Sequence, residues 1–422
     1  MTSDRLRLCR VRQRFSAPAV VDLIETVRKQ VDQVVSGAGL APGSRVAVTA
    51  GSRGVVRAPE IYRAVVGALR DAGHEPFLFT AMGSHGGGTA DGQRALLDSL
   101  GVTAEAVGAE VVCSDDVTVL GRTVTPIAGL PVLVASEAAA ADAVLVVNRV
   151  KPHTSFHGSH ESGLLKMLAV GMGRARGATM VHRLGWQSME QAIESIAAVV
   201  LDRLPVLGGL AVLENANEQP AQVEAMPAAE IAERETALLE TARALMPYLP
   251  VDRLDLCVVR EMGKNISGTG MDTNVIGRLR IEGLPEPPRP SIQYLAVLDL
   301  TEESHGNATG VGLADFTTQR LADRIDRAAT YLNCLTSGSP IRGAVPMTLP
   351  DDRAVFDAVW QAMKPQRFAD VRAAVIADTL HLGELWLSER SAAECGTDVE
   401  VLGDPTDLTF DGAGSLVLPT AQ

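Results

Sequence analysis

Short apolar runs alternate along this chain with longer stretches in which apolar residues recur at helical spacing. The runs at Arg45–Thr49, Glu75–Thr80, Glu110–Cys113, Pro131–Ala135, Ala143–Asn148 and Gly208–Leu213 read as strands. Between and around them, Val20–Val35, Ala58–Ala72, Asp91–Leu100, Leu164–Val170 and Met189–Leu204 read as helices. The Ala58–Ala72 segment carries Pro59 in its first turn and Gly73 just past its end, the asymmetry expected of a helix that starts and stops there. Strands that alternate with helices imply parallel βαβ units.

A charged helix, Ala228–Leu245, leads into Tyr248-Leu249-Pro250, and the pattern then restarts. Strands are expected at Leu254–Arg260, Tyr294–Leu298, Ala373–Ile376 and Val399–Leu402, with a long helix over Ala314–Leu335. The expected fold class is therefore α/β. It has two domains, an N-terminal one over residues 1–250 and a C-terminal one over 251–422, each built from parallel βαβ units. Polar loops in both halves make an active site in an interdomain cleft the expectation.

Composition narrows the function classes. Of 422 residues, 46% are hydrophobic, enough for two packed cores, and only 4% are aromatic. A net charge of −13 argues against nucleic acid or an anionic membrane as partner, because both demand a basic face. The five cysteines are scattered without a CxxC pair, which fits a reducing compartment and removes a thiolate zinc site by spacing. The N-terminus lacks an apolar signal core and no run reaches membrane-spanning length, so a cytoplasmic location is expected.

The chemistry is concentrated in loops that follow strands. Lys151-Pro152-His153-Thr154-Ser155-Phe156-His157-Gly158-Ser159-His160-Glu161-Ser162-Gly163 places three of the eight histidines in one loop, ahead of Lys166 in an apolar segment. Such imidazoles suit proton transfer or metal binding. His182 follows Lys166 by sixteen residues. Gly83-Ser84-His85-Gly86-Gly87-Gly88 joins a strand to a helix, and its glycines let backbone amides approach an anion. It lacks the ending of a nucleotide-triphosphate loop. Gly171-Met172-Gly173-Arg174-Ala175-Arg176-Gly177 has the wrong spacing and setting for a dinucleotide fingerprint and reads as a structural turn. In the second half, Lys264 and Asn265 supply a cation and an amide suited to a carboxylate. Lys166 itself has two readings, a snorkelling lysine or a desolvated attachment point.

These residues resemble, in order and over most of the chain, the family of lactate racemase and its nickel-pincer-nucleotide-dependent relatives. The match rests on Arg53 in Gly-Ser-Arg-Gly, His85 in Gly-Ser-His-Gly, His153 in Lys-Pro-His, Lys166, and His182 in Met-Val-His-Arg. The interval between Lys166 and His182 is its most specific element. The resemblance implies a racemase or epimerase of a 2-hydroxy acid or sugar acid. It implies a nickel-pincer nucleotide tethered to Lys166, with Arg53, Ser162 and Gly163 also binding it and His182 as the protein's nickel ligand. His85 and His153 would be the paired proton-transfer groups. Lys151, Lys264 and Asn265 would hold the substrate. The enzymes that make the cofactor are implied partners, and homo-oligomeric assembly is left open. Two departures, an early loop without the aspartate that accompanies the arginine and a longer loop carrying His157 and His160, point to a substrate other than lactate. Two rival readings stand beside this one: a zinc-dependent hydrolase built on His153, His157 and His160, and a non-catalytic small-anion-binding protein.

Overall fold

The computed structural model describes residues 5–52 and 55–418. Contacts divide the chain into two compact units. One is Ala17–Met246; the other joins the segment ending at Ser16 to the segment beginning at Pro247. Each is an α/β unit, the first built on a mostly parallel sheet and the second on a mixed one.

In the first unit six strands lie in the order Val111–Val112, Glu75–Thr80, Arg45–Ala50, Ala143–Arg149, Val206–Glu214 and Pro220–Pro227. All neighbours are parallel except the last pair. The central strands are almost entirely buried, as strands covered on both faces must be. One face is packed by Leu23–Ser36 and Ala58–Asp71, with Val27, Val31, Ile61, Val65 and Leu69 among the residues they bury in the core. Asp22 fixes where the first of these helices begins, its carboxylate accepting the Glu25 amide at 2.9 Å.

The strand order sets the site. Arg45–Ala50 has Glu75–Thr80 on one side and Ala143–Arg149 on the other, so the chain winds outward in opposite directions from this pair. Connections leaving the carboxyl ends of two such strands diverge, and the crevice between them is where open α/β sheets place ligands. The loops beginning at Gly51, Ala81 and Val150 all leave that edge.

The second unit carries a larger sheet in the order Met347–Leu349, Phe316–Thr318, Ser291–Leu300, Arg253–Met262, Ala373–Ile376, Glu384–Ser388, Arg7–Gln13 and Val399–Val401. Its first five strands are parallel, and from there each remaining strand pairs antiparallel with its neighbour. Arg7–Gln13, far away in sequence, pairs with Glu384–Ser388 through a five-residue register from Leu8↔Ser388 to Arg12↔Glu384. The expected helix over Ala314–Leu335 is replaced by a strand, Phe316–Thr318, and two helices, Gln319–Asp323 and Arg327–Thr336. Phe316-Thr317-Thr318 is a bulky and β-branched run that pairs with the buried Ala296 and Val297. Thr318 and Asp326 then cap the two helices with their side chains. Among the described residues no helix is long and apolar enough to cross a membrane.

Candidate functional site

Lys151 and Ser162 form an antiparallel bridge, with Lys151 N donating to Ser162 O at 2.8 Å and Ser162 N to Lys151 O at 3.3 Å. The ten residues between them are thus a closed loop whose ends are pinned to the sheet edge. Glu161, fully buried, is its keystone. Its carboxylate accepts the amides of His153 (2.5 Å) and Gly158 (3.1 Å), lies 3.3 Å from His157 Nδ1, and takes a hydrogen bond from the Arg243 guanidinium at 2.5 Å. Burial alone would push its acidity down, but these donors outweigh it and hold the carboxyl below its usual range.

The residues after the loop form one continuous winding. A short helical turn, Leu164–Lys166, runs into a π-helical turn, Met167–Gly171, and then into Arg174–His182. π-turns cost hydrogen-bond geometry and recur at functional sites. Here the winding is clamped from below by Leu164, buried against Gly209, where even a β-carbon would overlap it. It is clamped from the side by Glu235, whose Oε2 accepts the Leu165 amide at 2.9 Å. Gly163 must be glycine for this, because a side chain would occupy the Glu235 carboxylate. Asn148 completes the seating by donating to Gly163 O at 2.7 Å. Glu235 is 1% exposed, and burial raises its pKa to about 7. Gly171–Gly177 is a structural turn: Arg174 is buried in it, bonded to Glu137 and to Asp116 O.

This winding gathers Lys166, His182 and His153 about two aromatic rings. Lys166 Nζ lies 5.9 Å from the centroid of Phe156, which is buried. His153 packs on Phe156 at 4.5 Å and on Trp186 at 5.9 Å between centroids. His182 meets the Trp186 edge at 5.5 Å and 70°. Its Nδ1 is buried with no hydrogen-bond partner among the described residues. Desolvation, reinforced by the nearby Lys166 charge, lowers its pKa to about 4, so this imidazole is neutral near pH 7. A neutral imidazole with an uncommitted nitrogen is the form that ligates a metal. In so aromatic-poor a chain, Phe156 and Trp186 beside histidines were the signal by which sequence could have found this platform.

The proton-transfer candidates are held differently. His85, exposed at the start of the Gly86–Gly88 turn, has Nδ1 hydrogen-bonded to Ser52 Oγ, a partner that can donate or accept. His153 Nδ1 accepts the Ser155 amide at 3.0 Å, which puts the proton of the neutral ring on Nε2. Arg53 lies outside the described residues. Lys151, Ser162 and Gly163 are placed by the bridge and the helical start just described. Lys264 and Asn265 belong to the other unit, where Lys264 Nζ donates to Gly268 O at 2.6 Å and Asn333 Oδ1 at 2.8 Å, and Asn265 accepts Thr301 Oγ1 at 2.7 Å.

The three loop histidines do not share a centre. His153 faces the aromatic platform, His157 faces Glu161, and His160 is buried with Nδ1 at 3.1 Å from Glu194. That separation does not favour a zinc hydrolase built on all three.

Residues 47–242 match the model of a family described as a domain of unknown function (DUF362), just under half of the chain. No curated protein matches the chain. Among solved structures, a protein from Thermotoga maritima is 14% identical, with 65% of this chain and 70% of that one covered and a TM-score of 0.45. The lactate racemase apoprotein from Thermoanaerobacterium thermosaccharolyticum is 10% identical, with 87% of this chain and 94% of that one covered and a TM-score of 0.48.

Proposed function

We propose that this chain is an isomerase that racemises or epimerises a 2-hydroxy acid or sugar acid, using a nickel-pincer nucleotide attached to Lys166. The observation that carries the reading is the pairing of Lys166 with a neutral, half-buried His182 whose buried Nδ1 is unpartnered among the described residues. The donor chemistry fits the group: an amine for attachment and an imidazole for nickel, beside the Phe156 and Trp186 rings. When bound, the nucleotide supplies a hydride acceptor and donor, so a stereocentre can be oxidised and re-reduced.

The remaining work belongs to the chain. His182 holds the nickel, and the Trp186 edge fixes the plane of its ring. Ser162 and Gly163, at the start of the Lys166 turn, are the proposed nucleotide neighbours, and Arg53 supplies a cation to its phosphate. His85, oriented by Ser52, takes the substrate hydroxyl proton. His153, once protonated on both nitrogens, is the donor through Nε2 and returns a proton when the second configuration forms. To take up a proton at Nδ1 it must release the Ser155 amide, so a local movement of the 153–155 turn accompanies that step. Lys151, in the unit that carries Lys166, is the proposed carboxylate ligand.

The test uses protein co-produced with the cofactor-making enzymes and a panel of 2-hydroxy acids deuterated at the stereocentre. Interconversion that retains the deuterium is expected, with His85→Gln and His153→Gln each slowing it by about 10²-fold or more while keeping the cofactor. Washing of deuterium into solvent would show proton abstraction from carbon and contradict the reading.

A further inference from the structure

We infer that His160, Glu190 and Glu194 form a divalent-cation site that ties the histidine loop to the helix Met189–Arg203. One nitrogen of His160 and one oxygen from each carboxylate lie within 4.8 Å of one another. Glu190 and Glu194 are a turn apart on Met189–Arg203 and so share a face.

The tautomer is the first argument. His160 Nε2 lies 2.9 Å from Ala232 O, and a carbonyl can only accept, so Nε2 carries a proton. In the neutral ring Nδ1 is then a lone pair, and it faces Glu194 Oε1 at 3.1 Å, acceptor against acceptor. Something positive must sit between them, a proton or a metal ion. A ring whose far N–H is held by a backbone carbonyl is the arrangement that orients histidine ligands toward metals. Thr236 Oγ1, 3.3 Å from Nε2, steadies the same edge.

Geometry is the second. Two ligands each about 2.1 Å from an ion and 3.1 Å apart subtend roughly 95°, between octahedral and tetrahedral values. Glu190 is held in position by the Ser159 amide at 2.5 Å. Gly158 lets the Glu190 carboxylate sit against the loop backbone, where a β-carbon would displace it. Both glutamates are only part-buried, which leaves room for water to complete the shell. One imidazole with two carboxylates suits a first-row divalent ion such as zinc or manganese.

The site does not depend on the proposed isomerase activity. Its test is zinc content by elemental analysis of the full chain, stripped with chelator, incubated with Zn²⁺ and dialysed. One retained equivalent is expected in the unsubstituted chain and in His182→Gln, and none in Glu190→Gln/Glu194→Gln with unchanged circular dichroism. Zinc should raise the melting temperature of the first two proteins and not of the third. Zinc retained by the double variant, zinc lost with His182→Gln, or no zinc in any protein would overturn the site. The last result would leave an imidazolium–carboxylate pair.

Discussion

Replacing Glu161 by Gln tests whether the histidine loop is held as described. The carboxylate is fully buried and takes two backbone amides, at 2.5 and 3.1 Å, and one guanidinium, at 2.5 Å. A glutamine offers one acceptor oxygen where there were two, and its NH₂ group turns a donor toward an amide or toward Arg243. One buried N–H is orphaned, at about 1–3 kcal/mol, and a charge-assisted bond is lost, at about 1.5–3 kcal/mol. Arg243 is about a third exposed, so the ionic part falls at the lower end of its range. The sum is about 3 kcal/mol at pH 7. The pH dependence has a definite sign. The folded pKa is depressed below the ordinary 4.5, so the ionic contribution is complete above that value and is lost as pH falls through the folded pKa. Denaturant unfolding at pH 7 and pH 3 checks both parts: a large gap between wild type and Glu161→Gln at pH 7, narrowing at pH 3. Equal stability at pH 7, or a gap that does not change with pH, would refute the keystone role.

Glu235→Gln should behave in the opposite sense. Burial raises Glu235 to about 7, so the wild type loses stability as pH rises from the ordinary carboxylate range toward 7, and the neutral glutamine does not. The variant should match wild type near pH 5 and melt higher at pH 8; a lower melting temperature at pH 8 would contradict this. Lys166→Met should move the His182 titration, followed by NMR, upward from about 4, since the lysine charge helps depress it. The move should be partial because desolvation is the larger cause, and no movement would mean the two residues are not neighbours. Leu164→Ala, beneath the Lys166 turn, should cost about 2–5 kcal/mol in denaturant unfolding, and a loss under 1 kcal/mol would deny its clamping role.

Much of the architecture was legible because it is local. The runs at Glu75–Thr80 and Ala143–Asn148 and the helices after Pro59 and Met189 carry their own periodicity and end signals, and they form nearly where expected. What was not legible depends on distant partners. Arg7–Gln13 is a strand because it docks on Glu384–Ser388, and its three arginines hide the alternation. Pro220–Pro227 and Val117–Arg122 are strands paired antiparallel to neighbours, and the second has exposed positions that blur its pattern. Phe316–Thr318 was absorbed into a helix because three residues cannot display a period against the helical residues that follow. At the site, the histidines and Lys166 stood out as polar residues in an aliphatic chain. Glu235 did not: on a helix rich in glutamates, nothing local marks the one that folding buries. Nor could spacing show that His160 turns away from His153, since that follows from Glu194 and Ala232 far along the chain.

The central claim is that Lys166 carries the cofactor and His182 its nickel. The direct measurement is intact and peptide mass spectrometry with metal analysis, on protein co-produced with the enzymes that make the pincer nucleotide. The account predicts a mass increment confined to the Lys166 peptide with close to one nickel per chain, the increment abolished by Lys166→Ala and the nickel by His182→Ala. An unmodified Lys166, in a host that loads a control racemase, would contradict it.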